Sequence, residues 1–507
     1  MILTTTEEAR QLDTIAMEHY GIPEAVLMEN AGREAVRLFS EAMDWDGMDM
    51  VVLCGSGNNG GDGFVAARYA AMQGASVQIL LMGNESHMSD ASRLYRHAAE
   101  QMGIGVAVIQ HAAEAKPYIE AADCIIDALI GIGLRAGNKV EGEKAALIRQ
   151  VNESKAVILS LDVPSGMIAD TGQAAGVVVN ADYTVTMGSM KRGLLLYPGS
   201  EYAGTLLYTD IGIPDEAREG FPVGLTQKEQ VQEALPVRSS MAHKGTSGHV
   251  CIAAGSYGME GAALLSAGGA LLSGAGKVSL LSPSKAAVSL AGRIPEVMVS
   301  AAGEGAAFTA EMVHKVLSYA AQGSVLAVGP GMGRSEETGD FVKQVIEHAR
   351  VPLVIDADGL YWLAKEDIRL PQVPVVLTPH VGEFSRLTGY SPEDIENHRI
   401  DYAKAYAAKH SVILVLKGAP TVTALPDGQV FVNTTGNPGM AAGGMGDTLT
   451  GIVASFIAQG MESGPAAWAA VYLHGLAGDL AAQTKPIGFT ASELASFLPA
   501  ARAEVMA

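Results

Sequence analysis

The chain has few cysteines, a shortage of positive charge and no long apolar run, and each shortage excludes a class of protein. Its 507 residues include three cysteines without metal-ligand spacing, which predicts buried free thiols in a reducing compartment. Only 34 lysines and arginines oppose 55 acidic residues, so nucleic acid and anionic membrane are not expected partners. The apolar segment 262–272 is too short to cross a bilayer, and the N-terminus lacks the features of a signal peptide. We therefore predict a cytoplasmic protein.

The length and the hydrophobic pattern predict two α/β domains. A chain of 507 residues is too long for one core. In both halves, short Val/Ile-rich runs alternate with Ala-rich helical segments, a pattern typical of parallel sheets covered by helices. The mixed segment 220–236 predicts the boundary, which gives domains 1–224 and 225–507. The predicted strands are 50–54, 77–82, 104–109, 124–127, 157–161 and 183–187, then 249–254, 277–281, 325–328, 353–356, 375–378, 412–417, 421–424 and 429–432.

Three strand ends in the first half carry a polar side chain among glycines. The first of them contains Gly55, Gly57 and Gly60, which satisfy the dinucleotide fingerprint, but two asparagines and an aspartate are interleaved and indicate a different site. The other two are 127–137 and 161–166. Because the carboxyl ends of parallel strands meet at one edge of a sheet, we expect the three loops to converge on a ligand. Ordinary turns with aspartate as a helix cap are the alternative.

The convergent loops offer distinct chemistry. The backbone of 58–62 and 131–137 can hold phosphate groups. Hard oxygens suited to an alkali or alkaline-earth cation come from Asn59, Asp127 and Ser165. Asp162 follows a predicted buried strand and precedes a proline, a rigid position for a general acid or base. The segment 191–193 either contacts phosphate or is a solvated charge pair.

The segment 437–451 is the strongest motif of the second half. Its glycines open a long apolar helix, whose free amide groups and dipole can stabilise charge on a transferring phosphoryl group. Asp447 is placed to take a proton from an attacking hydroxyl. Glycines that only allow close packing are the alternative. Lys417 ends a strand and either holds nucleotide phosphates or is a surface lysine, and the loop 243–249 is expected to add donors. No Walker P-loop is present.

Taken together and in this order, the motifs make the chain resemble the bifunctional NAD(P)H-hydrate repair enzymes over essentially its whole length. The motifs 58–63 and 162–166 resemble the epimerase domain of that family. The second half of the chain resembles the dehydratase domain of that family in the motifs 243–248, 329–331, 356–358, 417–419 and 437–447. The fold class implied is α/β, an N-terminal Rossmann-like doubly wound domain followed by a ribokinase-like domain. Two departures are small: Val381 stands where proline is expected, and Ala442 where serine is usual.

The resemblance implies two activities on hydrated NADH and NADPH. The first domain would interconvert the R and S epimers, with Asp162 beside the reacting ring and K⁺ held by Asn59, Asp127 and Ser165. The second would dehydrate the S epimer through a phosphorylated intermediate, with Asp447 as base, Mg²⁺ bridging the donor phosphates and ADP converted to AMP and phosphate. A homo-oligomer is also implied.

The resemblance carries over further binding residues. The hydrate in the first domain would contact Asn58, Asn59, Gly60, Gly61, Asp62, Gly131, Ile132, Gly133, Leu134, Arg135, Ala136, Gly137 and Asp162. The hydrate in the second domain would contact Ala262, Met332, His380 and Asp447. The donor nucleotide would contact Lys417, Gly418, Ala419, Pro420, Thr421 and Gly446.

Three other functions fit part of the pattern. A dehydrogenase would use NAD as a recycled cofactor, but such sites usually have an acid at the end of the second strand, where this chain has Gly83 and Asn84. A small-metabolite kinase would use the Asp447 site and release a stable phosphorylated product. A nucleotide sensor or assembly module would tolerate loss of the Asp162 carboxylate. Consumption of ADP during NADH formation would exclude the dehydrogenase, and a stable phosphorylated product in place of free phosphate would favour the kinase.

Overall fold

The computed structural model describes every residue from Met1 to Ala507, and these divide into two compact units, Met1–Val223 and Gly224–Ala507. Each unit is built on an extended sheet covered by helices. No helix is long and apolar enough to cross a membrane.

The sheet of the first unit has seven strands, all parallel. In spatial order they are Gly105–Val108, Ser76–Leu81, Asp49–Cys54, Cys124–Ala128, Val157–Leu161, Tyr183–Met187 and Thr205–Thr209. The chain starts this sheet in the middle and extends it first to one side and then to the other, which is the doubly wound order. The switch point lies between Asp49–Cys54 and Cys124–Ala128. The predicted doubly wound fold is thus confirmed, and Thr205–Thr209 is a strand that the sequence pattern does not predict.

The helices of the first unit cover both faces of the sheet. They are Thr6–Thr14, the π-helical turn Ile15–His19, Glu24–Ser40, Asn58–Met72, Asp90–Gln101, Ala112–Ala121, Gly142–Glu153 and Gly199–Tyr202, with 3₁₀ turns at Glu85–His87, Arg192–Leu194 and Asp215–Arg218. The N-terminal segment is tied to the end of the unit, because Leu3–Thr4 pairs in parallel with Met190–Lys191. A capping box at Thr5 then starts the first helix.

The strands of the first sheet are buried on both faces. Val52 and Cys54 lie in one apolar cluster, whereas Val51 and Leu53 lie in a second cluster on the opposite face. Since successive side chains of a strand point to opposite faces, a strand covered on both sides must be apolar throughout. This is why the segment before the glycine-rich turn is a continuous apolar run.

The second unit has a ten-stranded mixed sheet. In spatial order its strands are Val223–Leu225, Val430–Asn433, Thr421–Ala424, Ile413–Leu416, Val375–Leu377, Leu353–Ile355, Val325–Val328, His249–Ala253, Lys277–Ser282 and Met298–Ala301. The last seven are parallel, and the pairings of Thr421–Ala424 with both of its neighbours are antiparallel. The residues Pro426, Asp427 and Gly428 predict a hairpin turn between the last two strands in sequence, and the Gly428 amide indeed donates to the Leu425 carbonyl at 3.1 Å.

The helices of the second unit are more extensive than the sequence pattern indicates. They are Lys228–Ala234, Glu260–Leu272, Ser284–Leu290, Val313–Ala320, Glu336–His348, Asp358–Lys365, Val381–Thr388, Pro392–Asn397, Arg399–His410, Met445–Ala458, Ser463–Thr484 and Ala491–Met506, with 3₁₀ turns at Ala310–Met312 and Pro438–Met440. The sequence pattern predicts a helix over 341–348, but the helix begins already at Glu336, because the Ser335 side chain caps it by accepting from the Thr338 amide.

Two glycines let the helix Met445–Ala458 lie directly on the helix Glu260–Leu272. A side chain at Gly269 would overlap the Thr448 carbonyl, and one at Gly451 would overlap the Ser266 carbonyl. The backbones therefore touch at two points. This contact fixes the position of the second helix, whose N-terminus carries Asp447.

We predict that Gly269→Ala lowers the free energy of unfolding by about 1–3 kcal/mol, the usual cost of overpacking a close contact. Gly268→Ala is the matched control, because its methyl group would meet only the Ile294 Cδ1 at 4.0 Å. The control should be neutral or more stable by up to about 1 kcal/mol, since alanine favours helix. Denaturant titration of both variants measures the difference, and equal stabilities would contradict the packing argument.

Candidate active sites

A cavity of about 620 Å³ lies at the switch point of the first sheet. Most of the binding residues predicted in the first domain line it, namely Asn58, Asn59, Asp62, Gly131, Ile132, Gly133, Leu134 and Asp162. The other members of the 131–137 loop, Arg135, Ala136 and Gly137, are exposed and do not line the cavity. The structure therefore brings two of the three glycine-containing loops and Asp162 of the third together at one edge of the sheet.

The glycine-rich turn is folded tightly against its own strand. The sequence predicts a helix over 64–73, but the helix begins at Asn58, and the Gly60 amide donates to the Gly57 carbonyl at 3.0 Å. A side chain at Gly60 would overlap the Gly55 carbonyl, so only glycine fits there. This close packing directs the N-terminus of the helix at the cavity, where free amides favour a bound anion.

Asp127 and Ser165 form a buried polar cluster, and Asn59 lies beside Gly131 of the loop that follows Asp127. The Asp127 carboxylate accepts from the Ser165 Oγ at 2.6 Å, the Ser165 amide at 2.8 Å and the Ser160 Oγ at 2.9 Å. Burial nevertheless raises the pKa of Asp127, against the opposing effect of these hydrogen bonds. Asn59 is 8% exposed, and neither polar atom of its amide has a partner. An unpaired buried amide is costly unless a ligand completes it.

Asp162 is held by a buried lysine. The Lys191 ammonium donates to the Asp162 Oδ1 and to the Met187 carbonyl, the latter at 2.8 Å. Asp162 has a φ of +65°, a strained conformation for this residue type that is often found at functional sites. Of the two alternatives for the segment 191–193, the solvated charge pair is wrong, and the phosphate contact stays a prediction. Lys191 is buried against Asp162, and Arg192 is buried against Glu8 at 2.8 Å, so neither is a solvated charge.

Two more carboxyl groups border the same cavity. Asp13, on the helix Thr6–Thr14, was not singled out by any sequence motif, yet it lines the cavity with Asp62 and Asp162. Burial raises the pKa of Asp13 to about 6, with Lys191 acting in the opposite direction. Burial and the neighbouring carboxylates also raise the pKa of Asp62 well above its usual value. The cavity therefore combines one paired carboxylate with two carboxyl groups whose pKa values are raised by burial.

In the second unit, Asp447 lies in the first turn of the helix Met445–Ala458. The preceding Gly444 has a φ of +88°, which allows the sharp turn into the helix. Burial and the nearby Asp356 raise the pKa of Asp447 from 3.8 to about 7, although Lys417 opposes the shift. A carboxylate with a pKa near neutrality can accept a proton from a hydroxyl and release it again at physiological pH.

Lys417 lies beside the N-terminus of that helix. Its ammonium donates to the Asp356 Oδ1 at 2.9 Å, and the other Asp356 oxygen accepts from the Thr450 Oγ1 at 2.7 Å. Burial alone would lower the pKa of Lys417, but the carboxylates of Asp356 and Glu383 raise it above its usual value. A methyl group at Gly446 would be 2.9 Å from the Lys417 Nζ. The lysine is thus an internal charge, and the alternative of a surface lysine is wrong.

An arginine that the motifs do not indicate supports the Lys417 loop. Arg399 is 2% exposed and donates to the carbonyls of Leu416 and Lys417 at 3.3 and 3.2 Å. It also pairs with Glu396 at 2.7 Å. Gly418 and Ala419 are exposed beyond this support, while Pro420 is buried and Thr421 half-buried. The loop therefore has a fixed base and an accessible tip.

The residues predicted to contact the hydrate in the second unit are accessible to different degrees. Ala262 lies beside Gly331, where an added methyl group would be 3.0 Å from the Ala262 Cβ. Met332 is fully buried, backbone and side chain alike. His380 caps the helix Val381–Thr388, its Nδ1 accepting from the Gly382 amide at 3.0 Å, and its side chain is 56% exposed. The Nε2 of His380 is the atom left for a ligand.

Two family models match the chain. One described as NAD(P)H-hydrate dehydratase matches residues 250–500, and one described as YjeF-related protein N-terminus matches 24–193. The bifunctional NAD(P)H-hydrate repair enzyme of Moorella thermoacetica is 38% identical over 98% of this chain and 96% of its own length. The Escherichia coli enzyme of the same name is 34% identical over 97% and 92%. The chain belongs to the family of bifunctional NAD(P)H-hydrate repair enzymes.

A solved structure supports the fold of the second unit. The ADP/ATP-dependent NAD(P)H-hydrate dehydratase from Bacillus subtilis, co-crystallised with ATP and Mg²⁺, is 34% identical and covers 56% of this chain and 99% of its own, with a TM-score of 0.50. A ribokinase-like protein from Enterococcus faecalis also has a TM-score of 0.50, at 29% identity. The predicted ribokinase-like fold, the family and the bifunctional repair activity are thus confirmed.

One motif of the repair enzyme lies away from the site where it was expected. The loop 243–248 precedes the strand His249–Ala253, whereas the site residues of this unit follow their strands. Gly248 packs against the Ala458 carbonyl, at the far end of the helix that begins beside Asp447. A helix of 14 residues is about 20 Å long, so the loop cannot add donors to the Asp447 site.

We predict that Asp447→Asn raises the thermal unfolding midpoint of the enzyme at pH 8 but not at pH 4. At low pH the carboxyl group is protonated in both the folded and the unfolded chain, so its burial costs no ionisation. As the pH rises, the unfolded chain ionises first, and the wild type loses stability progressively between about pH 4 and pH 7. Asp340→Asn, at an exposed position, is the control. Calorimetry at both pH values is the measurement, and no gain at pH 8 would contradict the raised pKa of Asp447.

Proposed function

We propose that Met1–Val223 epimerises the hydrates of NADH and NADPH and that Gly224–Ala507 dehydrates the S epimer with ADP as phosphoryl donor. The observation that carries this proposal is the Asp447 carboxyl, whose pKa of about 7 and position at a glycine-opened helix N-terminus suit a base for phosphoryl transfer. The similarity to the ADP/ATP-dependent dehydratase of Bacillus subtilis supports the nucleotide donor. A cytoplasmic location and a homo-oligomer stay predictions, the latter testable by sedimentation.

Dehydration follows from the groups around Asp447. Its carboxylate takes the proton of the hydrate hydroxyl, whose oxygen attacks the terminal phosphorus of ADP and releases AMP. The amides of 443–446 and the Lys417 ammonium would stabilise the charge on the transferring group, since both lie at the helix N-terminus. The carbon–oxygen bond then breaks, phosphate leaves, and loss of a proton from the neighbouring ring carbon forms the double bond. Lys417, Gly418, Ala419, Pro420, Thr421 and Gly446 would hold the nucleotide.

The side chains near Asp447 fit a magnesium ion that arrives with the nucleotide. No group of three or more histidine, cysteine, aspartate or glutamate side chains in the chain is arranged to hold a metal ion. Asp356 and Asp358 are already engaged, the first with Lys417 and the second with Arg334 at 2.9 Å. Mg²⁺ is commonly held by substrate phosphates together with few protein groups. When bound, it would neutralise charge on the donor phosphates.

The polar cluster of the first unit fits a potassium ion in part. The unpaired Oδ1 of Asn59 is a free hard oxygen, and the Ser165 Oγ accepts from the Ile130 amide at 2.8 Å in the neighbouring loop. Asp127, in contrast, accepts four hydrogen bonds, which match the four lone-pair sites of its carboxylate. We infer that Asn59 supplies the direct oxygen and that Asp127 acts by orienting Ser165. When bound, K⁺ would offset the buried negative charge and order the loop.

The experiment that tests the proposed function supplies the full-length enzyme with a mixture of both NADHX epimers, ADP, Mg²⁺ and K⁺. Complete recovery of NADH absorbance, with one AMP formed per NADH, is the expected result. Recovery that stalls at the S fraction would reject the epimerase assignment. A stable phosphorylated product in place of free phosphate would indicate a kinase instead. Parallel reactions with ATP measure the donor preference.

We predict that Asp447→Asn abolishes dehydration while ADP still binds. Because the base must be ionised, the wild-type rate should rise with pH through about 7 and fall as the pH drops below it. Initial rates with S-NADHX between pH 5.5 and 8.5 check the profile, and calorimetric titration checks ADP binding. Asp340→Asn should behave as wild type. An active Asp447→Asn variant would show that another group is the base.

We predict that Asn59→Ala weakens the response of epimerisation to K⁺. The concentration of KCl for half-maximal rate should rise about 10-fold or more, the scale seen when a metal site loses a supporting group. K⁺ should also raise the unfolding midpoint of the wild type but not of the variant. The exposed Asn180→Ala is the control. Choline chloride keeps the ionic strength constant, and an unchanged K⁺ response would refute the assignment of Asn59.

A further inference from the structure

A small recess of about 130 Å³ adjoins the main cavity of the first unit. The two share part of their lining, namely Asp13, Asn58, Asp62, Ile132 and Asp162. The recess is otherwise walled largely by apolar side chains of the N-terminal helices and by the segment 187–191, including Lys191. Its carboxyl groups therefore face a space that is mostly apolar.

The size of the recess decides which part of the substrate can enter it. A water molecule occupies about 30 Å³ in the liquid, so the recess has room for a few waters or for one substituted ring. A dinucleotide needs the main cavity of about 620 Å³. One ring of the dinucleotide can thus enter the recess, and the carboxyl groups that line it suit the hydroxyl-bearing nicotinamide ring, with the ribose and phosphates in the main cavity.

Two of the four carboxyl groups that line this recess, Asp13 and Asp62, have no hydrogen-bond or ion-pair partner, whereas Glu24 accepts from the Asn58 side-chain amide. Asp162 is paired with Lys191, whereas Asp13 makes no hydrogen bond or ion pair. The charges that act on Asp13 come from Lys191, Asp162 and Glu24. Asp13 lies just before the π-helical turn Ile15–His19, an irregularity often found at functional sites.

Asp13 and Asp62 differ in how burial changes the pKa of the carboxyl group. Burial and the nearby carboxylates raise the pKa of Asp62 well above its usual value. Asp13, with a pKa of about 6, can both give and take a proton near neutral pH. Asp13 and Asp162 come from different elements, a helix and a strand end, so they can approach a ring in the recess from different directions.

We propose that Asp13 is a further catalytic residue of epimerisation and exchanges protons with the ring hydroxyl in partnership with Asp162. This inference rests on the proposed function of the first unit. It assigns the two carboxyl groups complementary roles, one as acid and the other as base, in each direction of the reaction.

The step is balanced in atoms and charge. Protonated Asp13 gives its proton to the ring hydroxyl, the carbon–oxygen bond breaks, and water departs while the nitrogen lone pair forms a carbon–nitrogen double bond. A water molecule then attacks the opposite face of that carbon, the double-bond electrons return to nitrogen, and the Asp162 carboxylate takes the proton released. One water leaves and one enters, with no oxidation. The reverse direction uses the same groups in exchanged roles, and solvent resets their protonation.

The test uses the full-length enzyme with purified R-NADHX and K⁺ but no nucleotide, so that dehydration cannot consume the product. Rates of epimer exchange are measured by chromatography between pH 5 and 8.5 and corrected for spontaneous exchange. The variants are Asp13→Asn, Asp13→Glu and Asp162→Asn. Glu18→Gln is the matched control, because it removes an exposed carboxylate from the same N-terminal segment outside the cavity.

We expect Asp13→Asn to lower kcat by about 100-fold or more with little change in KM, the scale of lost acid–base catalysis. The inflection near pH 6 in the wild-type profile should disappear. Asp13→Glu should recover part of the rate, and Glu18→Gln should match wild type. Stabilisation by K⁺ shows that the first unit of each variant is folded, and dehydration of S-NADHX with ADP shows the same for the second.

A failure of the Asp13 proposal can be told apart from a failure of the proposed function. A normal kcat in Asp13→Asn together with an inactive Asp162→Asn would overturn the role of Asp13 and leave the proposed function standing. A higher KM at unchanged kcat would make Asp13 a binding residue and also overturn it. Absence of exchange in the wild type would reject the proposed function itself. In ¹⁸O-labelled water the product should carry the label, and an unlabelled product would overturn the water-departure step.

Discussion

A buried lysine paired with an aspartate at the end of a parallel strand is the interaction on which both sites depend. Lys191 holds Asp162 in the first unit, and Lys417 holds Asp356 in the second. Each pair places a fixed positive charge at the carboxyl edge of its sheet. A second carboxyl group nearby is left without a partner, and its pKa is raised mainly by burial. The pair orders the site, and the unpaired carboxyl is the group free to exchange protons.

The parts of the fold that local chemistry determines could be predicted from the sequence. The strands were predictable because a strand covered on both faces has to be apolar throughout, as Val51–Cys54 is. The loops after them were predictable because glycine allows the backbone to pack as closely as it does at Gly60. Short edge strands such as Met298–Ala301 were missed, since they owe their conformation to one neighbour and carry no distinct pattern.

The parts of the sites that depend on contacts distant in sequence could not be predicted. Asp13 is an ordinary acidic residue of an amphipathic helix until the fold brings that helix to the switch point. Arg399 supports a loop 18 residues away through two carbonyl groups, which no motif records. The loop 243–248 was assigned to the Asp447 site because its residue types suit a ligand. The assignment was wrong because the loop precedes its strand, whereas the site residues follow theirs. Position relative to the strand direction, rather than composition, decides which edge of a sheet a loop joins.

The pairing of Leu3–Thr4 with Met190–Lys191 joins the beginning of the first unit to its end. The seven-stranded sheet does not include this pairing, so the sheet can form without the first residues of the chain. The recess cannot form without the N-terminal segment, because this segment supplies both Asp13 and Thr4, the residue whose backbone pairs with Lys191. During synthesis, the wall that this segment supplies can close only after the ribosome has made almost the whole unit. A truncation or an amino-terminal fusion that displaced these few residues would therefore leave a folded nucleotide-binding sheet with an open, incomplete catalytic chamber.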